Sequence, residues 1–400
     1  MTPLPPDSAA RDRAATRAAW SLLIMICCTM VGSGMMAPVL SLYAQTFSVS
    51  SALVGMLVTI FGVGRLCANL PAGYMSQALG RRPLLVLGPL VIAVGCVGAA
   101  LTQDFNALLA WRFVQGVGSG MYMTVSAAAL ADLSSTATRA RLVGLYQAAL
   151  QLGATIGPVV GGFVADHFGL AAPFWALLVI SLATAVLGVF SFRDAPARVA
   201  TLSGALGARR GLMTLPFIAI SLVSGVSFFT RTACLFQLMP LMGHETFALD
   251  VSAIGLGVTI SAGAILLILP ISTRLIARLG ARMAVVVSMA ASAVGIALLA
   301  GGAHPAWFWA SMAVYGLAGG FNGPAVGAYT IEALPRSKYG PGMGVQRTIS
   351  DVGYVAGPVV VGLASDHSAY GHVAGVWVSV ALLVASTILF ALATLPRPKH

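Results

Sequence analysis

Long apolar stretches, separated by short polar segments, follow one another along almost the whole chain. A transmembrane helix needs about 20 predominantly apolar residues, and runs of about 18 or more recur here. We therefore predict an all-α polytopic membrane protein with twelve transmembrane helices. The predicted helices span residues 18–45, 51–77, 83–101, 106–131, 141–165, 172–192, 213–241, 251–275, 284–300, 305–334, 341–364 and 374–395.

The composition supports a chain that is surrounded mainly by lipid. Hydrophobic residues make up 58% of the chain and charged residues only 8%, and the mean hydropathy is +0.92. These values exclude an ordinary soluble enzyme. The five cysteines lie in apolar segments without CxxC spacing, which indicates neither a disulfide framework nor a metal site.

The basic residues lie almost entirely on one side of the predicted helices. Loops on the other side carry only acids, among them Asp104, Asp166, Glu245, Asp250 and Asp366. This asymmetry predicts cytoplasmic termini and explains the net charge of +11 without a nucleic-acid partner. Eighteen of the 22 basic residues are in the terminal-side segments: Arg11, Arg13, Arg17, Arg81, Arg82, Arg139, Arg141, Arg193, Arg198, Arg209, Arg210, Arg274, Arg278, Arg282, Arg336, Lys338, Arg397 and Lys399.

An internal repeat with an offset of 200 residues relates the two halves of the chain. Gly153, Gly157, Pro158 and Gly162 return as Gly353, Gly357, Pro358 and Gly362. The repeat predicts two pseudo-symmetric six-helix bundles, residues 18–192 and 213–396. A cytoplasmic linker, 193–212, joins them, and cytoplasmic tails, 1–17 and 397–400, flank them; we expect the first tail to be disordered. Parallel halves of this kind meet at a central substrate cavity near the bilayer midplane.

Glycines form a face without side chains on the fifth predicted helix. Gly153 and Gly157 are four residues apart and share one side of the helix. Such a face lets another helix backbone approach closely. Pro158 removes a backbone donor and should bend the helix, and Gly161 and Gly162 follow it. We expect these residues and their repeat mates to serve conformational change.

The loop after the second predicted helix resembles a signature of the major facilitator superfamily. It contains Gly73, Gln77, Gly80, Arg81 and Arg82. The family usually has an acid where Gln77 stands, so the chain departs from the pattern there.

Two further motifs extend the resemblance over nearly all of the chain. The stretch from Arg112 to Gly118 is similar to a family motif whose arginine, here Arg112, is linked to proton coupling. Gly153 to Gly162 is similar to a motif of twelve-helix drug:proton antiporters. The resemblance implies a secondary active transporter of the inner membrane that exports small organic or drug-like molecules for protons by alternating access. We expect a monomer whose partners are the lipid bilayer, protons and a small-molecule substrate, without cofactor, metal or nucleic acid.

Two arginines from opposite halves are candidates for substrate binding. A basic residue at the bilayer centre costs about 2.5–3.5 kcal/mol, which makes Arg65 and Arg231 functional hypotheses. Together they would form a clamp for a carboxylate or another anion. Alternatives are snorkelling, pairing with a polar neighbour such as Asn69, or a place at the outer gate. Further candidate substrate contacts are Asn69, Gln147, Gln151 and Phe229.

Arg347 and Asp351 lie four residues apart in the eleventh predicted helix, where their repeat mates are Gln147 and Gln151. Asp351 is the carboxylate that we place inside the membrane, and we predict that it carries the coupled proton. The alternative is a static ion pair that holds the bundle together. Asp132 and Glu332, which match across the repeat, are expected to anchor basic loops.

Other function classes receive less support from the sequence. A proton-coupled importer of organic anions is the main alternative, and Arg65 and Arg231 favour it. A non-transporting membrane sensor would need a long soluble signalling domain. An enzyme would need a catalytic constellation, and ATP drive would need a phosphate-binding loop; neither pattern is found in the sequence.

Overall fold

The chain folds into helices throughout the part that the structure describes. The computed structural model describes residues 7–133, 139–191, 213–334 and 339–395, where every regular element is a helix. The all-α fold is therefore confirmed. The α-helices are α1 (Asp7–Gln45), α2 (Ser51–Ala78), α3 (Arg81–Leu101), α4 (Phe105–Leu133), α5 (Arg139–Phe168), α6 (Ala172–Ser191), α7 (Leu215–Ala233), α8 (Met239–Glu245), α9 (Val251–Leu279), α10 (Ala281–Ala297), α11 (Pro305–Ala333), α12 (Tyr339–Asp366) and α13 (His372–Ala393).

Ten spans in the described residues are long and apolar enough to cross a membrane. They correspond to all the predicted transmembrane helices except the fourth and the tenth. The helices at those places, α4 and α11, contain 29 residues each but fall outside this group. Both contain residues of low hydropathy, such as Arg112 and Gln115 in α4 and Asn322 in α11. The chain is thus a polytopic membrane protein, and the count of twelve spans stays a prediction for these two helices.

The first helix begins earlier than the apolar pattern predicts. α1 starts at Asp7, so residues 7–17, which we expected to be disordered, are helical. This segment consists mainly of alanine and arginine, which are strong helix formers despite the low apolar content. The expectation of disorder was therefore wrong for these residues, and the linker 193–212 and the tail 397–400 lie outside the described residues.

Two glycines at repeat-related positions lie where one helix is followed closely by the next. Gly80 lies between α2 and α3 with φ of 87°, and Gly280 lies between α9 and α10 with φ of 77°. Side chains disfavour such backbone angles, whereas glycine adopts them freely. The Gly-Arg-Arg and Gly-Ala-Arg sequences can therefore turn the chain sharply from one helix into the next.

The seventh predicted helix is not a single α-helix. A π-helical segment, Cys234–Leu238, separates α7 from α8. Pro240 has no N–H group to donate to the carbonyl of Phe236, four residues earlier, and its ring crowds that carbonyl. The hydroxyl of Ser41 donates to this carbonyl instead. The proline thus explains why the hydrogen-bond pattern changes here, a pattern often found at functional sites.

Contacts divide the described chain into two compact units. The first unit comprises residues 7–36, 63–133, 139–157 and 171–191. Its core contains large apolar side chains from α1, α3 and α4, among them Met25, Leu84, Tyr122 and Val125.

The second unit comprises residues 37–62, 158–170, 213–334 and 339–395. Phe217, Met289, Phe308 and Phe390 are among the buried residues of its core. The six-helix bundles 18–192 and 213–396 follow from the sequence repeat and stay a prediction.

Candidate functional site

The second unit contains the ion pair predicted on α12. The Nε atom of Arg347 lies 3.5 Å from Oδ1 of Asp351. This separation is long for a hydrogen bond but short enough for an ion pair. The structure therefore brings together the two residues whose spacing placed them on one helix face.

The two partners of this pair differ strongly in exposure. The side chain of Asp351 is 9% exposed, whereas that of Arg347 is 62% exposed. The guanidinium carbon of Arg347 also lies 5.8 Å from the centre of the Phe228 ring, within the range of a cation–π contact. A buried carboxylate requires a charged partner or a proton. Asp351 thus depends on a partner that remains accessible.

Neutral polar residues surround the pair on α12. The hydroxyls of Ser350 and Ser224 lie 2.7 Å apart, which links α12 to α7. The amide of Gln346 donates to the hydroxyl of Thr330 in α11 at 2.9 Å. We did not predict these residues. Gln346 and Ser350 directly precede Arg347 and Asp351, so the same four-residue spacing could have placed them together on one helix face.

Glycines bring α7 and α12 into backbone contact beside the pair. A Cβ atom at Gly353 would overlap the carbonyl oxygen of Gly225, and one at Gly357 would overlap that of Phe229. Phe229, a predicted substrate contact, is buried at this place. The backbone carbonyl of Phe229 lies against Gly357 of α12. The role of Phe229 as a substrate contact stays a prediction.

The equivalent glycines of the first half pack against α1 within the first unit. A Cβ atom at Gly157 would lie 2.5 Å from the carbonyl oxygen of Val31 and 2.8 Å from the Cα atom of Gly34. One at Gly153 would lie 2.6 Å from the carbonyl oxygen of Cys27. α1 is thus the helix that the side-chain-free face of α5 contacts. The role of these glycines in gating stays a prediction.

The loop motif after α2 forms polar contacts within the first unit. Arg81 donates to the carboxylate of Asp132 at 3.0 Å and also to the hydroxyl of Ser76. Arg82 donates to the carbonyl of Val189 at 2.7 Å. Asp132 thus binds a basic residue at the joint between α2 and α3, as expected. Space is open around Gly73, and the side chain of Gln77 lies outside the described part of the structure.

Arg112 lies in the interior of the first unit and is 5% exposed. Its guanidinium donates to Oε1 of Gln115 at 2.6 Å, and the amide of Gln115 lies 3.5 Å from the sulfur of Cys96. α3 and α4 approach closely here, since a Cβ atom at Gly95 would lie 3.1 Å from the backbone nitrogen of Gln115. The arginine therefore sits in a packed polar cluster, and its part in proton coupling stays a prediction.

The predicted arginine clamp is divided between the two units. Arg65 is half-buried in the first unit, where its carbonyl oxygen lies against Gly120, and Arg231 is exposed in the second unit. The Oδ1 atom of Asn69 accepts a bond from Thr124 at 3.1 Å. Gln151 accepts a bond from Thr155 through its carbonyl at 2.8 Å. The side chain of Gln147 is outside the described residues. The arginine clamp and these candidate substrate contacts stay predictions.

Comparisons with known proteins identify transporters. Multidrug resistance protein 2 of Bacillus subtilis is 29% identical over 173 residues, which are 43% of either chain. Inner membrane transport protein YajR of Escherichia coli is 31% identical over 166 residues, 41% of this chain and 36% of YajR. Each match spans less than half of the relative's length.

A solved structure shows the same fold over almost the whole chain. The crystal structure of the nucleoside transporter NupG matches with a TM-score of 0.77 at 17% identity. The match covers 95% of this chain and 100% of that one. At this identity the likeness concerns the fold alone.

The sequence profile of the Major Facilitator Superfamily matches residues 22–253 and 221–400, two overlapping segments that cover both halves of the repeat. The chain therefore belongs to the Major Facilitator Superfamily, and it is a multi-pass membrane transporter rather than an enzyme.

Proposed function

We propose that the protein exports small organic or drug-like molecules in exchange for protons. The observation that carries this proposal is the buried carboxylate of Asp351, whose partner Arg347 is exposed. A buried carboxylate needs either a charged partner or a proton, and Arg347 would stop serving as that partner when it moves away or binds substrate. Proton binding would then depend on conformation and substrate, as exchange requires.

The direction of transport is supported by the likeness to multidrug resistance protein 2, whose name indicates drug resistance. A proton-coupled importer of organic anions is the second candidate. It is favoured by the two arginines within the predicted membrane helices, Arg65 and Arg231. Both functions would use the same cycle, in which the predicted bundles 18–192 and 213–396 rock about a central site.

The membrane placement completes the proposal. We infer an inner membrane protein with both termini and the linker 193–212 in the cytoplasm, because basic residues concentrate in these segments. A monomer suffices for the proposed cycle, because the two halves of one chain supply both bundles.

The proposed function can be tested in liposomes that contain the purified protein and a trapped pH indicator. A panel of neutral, anionic and cationic organic compounds is added without a membrane potential. Exchange predicts that entry of a transported compound drives protons out of the liposomes. Proton movement in the same direction as the compound would contradict export by antiport and support the importer. Protein-free liposomes report passive leakage.

Arg65→Gln and Arg231→Gln are expected to reduce transport of anionic compounds about tenfold or more, since a lost charge-assisted contact to a carboxylate is worth about 1.5–3 kcal/mol. Neutral compounds of matched size should lose less than about twofold. Initial rates in the liposome assay measure both effects. Arg274→Gln is the matched control, since Arg274 is an exposed arginine on α9 outside the proposed clamp. Equal losses for both compound classes would contradict substrate recognition and indicate a structural role.

A further inference from the structure

A carboxylate near the end of α5 binds the start of a distant helix. The backbone N–H groups of Val251 and Ser252 donate to the two carboxylate oxygens of Asp166 at 3.2 and 2.8 Å. These residues open α9, and all of them belong to the second unit. The first N–H groups of a helix have no partner within it, and the helix dipole favours a negative charge there. Asp166 therefore caps a helix that is 85 positions away in sequence.

The repeat mate of Asp166 makes the same contact with another helix. Asp366, the last residue of α12, accepts bonds from the N–H groups of Ser51 and Ala52, both at 2.8 Å. These residues open α2 and also belong to the second unit. We call the four bonds from Val251 and Ser252 to Asp166, and from Ser51 and Ala52 to Asp366, the crossed caps.

Close backbone contacts accompany both crossed caps. A Cβ atom at Gly162 would lie 2.5 Å from the carbonyl oxygen of Val251, and one at Gly362 would lie 2.5 Å from that of Ser51. The carbonyl of Ser51 also accepts a bond of 2.7 Å from the buried amide of Gln237. The carboxylates thus close contacts in which α5 lies against the start of α9 and α12 against the start of α2.

Neither helix start depends on its crossed cap alone. α9 has its own capping residue, Asp250, whose carboxylate accepts from the N–H of Ala253 at 2.8 Å. α2 has Ser50, whose hydroxyl lies 3.5 Å from the N–H of Leu53. Because local caps are present, the carboxylates from α5 and α12 add attachment between helices rather than helix formation.

Other polar contacts lie in the same unit near the ends of α1, α8 and α13. The amide of Gln45 donates to Glu245, and the imidazole of His372 lies 3.0 Å from the other carboxylate oxygen of Glu245. They join the end of α1 to residues that follow α7. The bond between Gln45 and Glu245, like the crossed caps, ties a segment of the first half to one of the second, whereas His372 and Glu245 both belong to the second half.

We propose that the crossed caps form a latch. The latch holds α2 and α9 in the conformation of this structure, and it releases both when the transporter opens at the end where these two helices begin. The proposal rests on the alternating-access function proposed above, because only such a cycle must break these bonds. The two caps act together, so the loss of one loosens the helix start that the other holds.

Hydrogen exchange of the full-length protein in lipid nanodiscs, followed by mass spectrometry, tests the latch. Asp366→Asn keeps the shape of the side chain but turns an NH₂ group toward one of the two N–H donors. We expect exchange about tenfold faster in peptides covering residues 46–58, as the loss of one charge-assisted bond would give. The latch also requires faster exchange in peptides covering 246–258, where Asp366 makes no cap.

Asp104→Asn is the matched control. Asp104 caps its own helix through a single bond of 2.8 Å from the N–H of Ala107, a bond that asparagine can replace. This variant should leave peptides 46–58 and 246–258 unchanged. If Asp366→Asn accelerates exchange only in 46–58, or in neither peptide, each cap acts locally at most and the latch is refuted.

The reciprocal variant keeps the test decisive if Asp366→Asn does not fold. Asp166→Asn should accelerate exchange in 46–58 as well as in 246–258, and a change confined to 246–258 would contradict the latch. The measurement uses neither substrate nor a pH gradient. Its outcome is therefore separate from that of the liposome assay, and failure of either proposal can be recognised.

Discussion

Asp351→Asn is expected to lower pH-driven transport to the level of protein-free liposomes while the protein still folds and binds substrate. Asparagine cannot take up and release the coupled proton. The stability cost should be small, about 0–1 kcal/mol, because the remaining partner, Arg347, is 62% exposed and can turn away from position 351. Removal of one partner from a fully buried pair would instead cost about 3–5 kcal/mol. Thermal unfolding in detergent measures this difference.

Substrate exchange without a pH gradient separates coupling from binding. Asp351→Asn should retain exchange of labelled for unlabelled substrate, since this reaction needs no net proton movement. Asp104→Asn, at the exposed start of α4, is the control for the loss of a carboxylate. Wild-type rates of pH-driven transport in Asp351→Asn would show that another group carries the proton, and Asp132 and Glu332 would be examined next. A large loss of stability would indicate a static ion pair.

The sequence was most informative where one residue type has few possible roles. A charge costs so much in a membrane helix that Arg347 and Asp351 could be paired from their spacing alone. Glycine at 153, 157, 353 and 357 likewise indicated close helix contacts. It could not indicate that α1 and α7 are the partners, because glycine has no side chain that would specify one.

Polar contacts with common residues could not be predicted. Thr330 illustrates the reason: its hydroxyl donates to the carbonyl of Val326 in its own helix at 2.7 Å and also accepts a bond from Gln346. Serine and threonine bond to their own helix in this way whether or not a partner exists.

The acids Asp166 and Asp366 were assigned to loops, yet they lie in α5 and α12 and bind helix starts far away in sequence.

Local backbone changes also escaped the apolar pattern. The segment Cys234–Leu238 is as apolar as its neighbours, so hydropathy alone predicts an uninterrupted helix there. Pro240 lacks the N–H that would bond to the carbonyl of Phe236, and the hydroxyl of Ser41, from another helix, donates to that carbonyl instead. Such a donor becomes visible only when the fold is known.

Gly157→Leu is expected to abolish transport while the protein still reaches the membrane. Even a Cβ atom at this position would lie 2.5 Å from the carbonyl oxygen of Val31, so α1 and α5 must move apart to admit it. The obstacle is backbone, which cannot move aside by changing a rotamer. Overpacking a close-packed interior typically costs about 1–3 kcal/mol and occasionally more, and leucine adds a whole branched side chain.

A graded series with a matched control makes this prediction specific. Gly157→Ala should reduce the transport rate partially and lower the unfolding temperature less than Gly157→Leu does. Gly357→Leu should be as severe as Gly157→Leu, because a Cβ atom there would overlap the carbonyl oxygen of Phe229. Gly263→Leu is the control, since no atom lies within 4 Å of a Cβ atom added at that helical glycine.

Transport at the wild-type rate by Gly157→Leu, with Gly263→Leu equally active, would show that the close approach of α1 and α5 is dispensable. If Gly157→Leu folds with normal stability but fails to transport, the contact serves the conformational cycle rather than the fold.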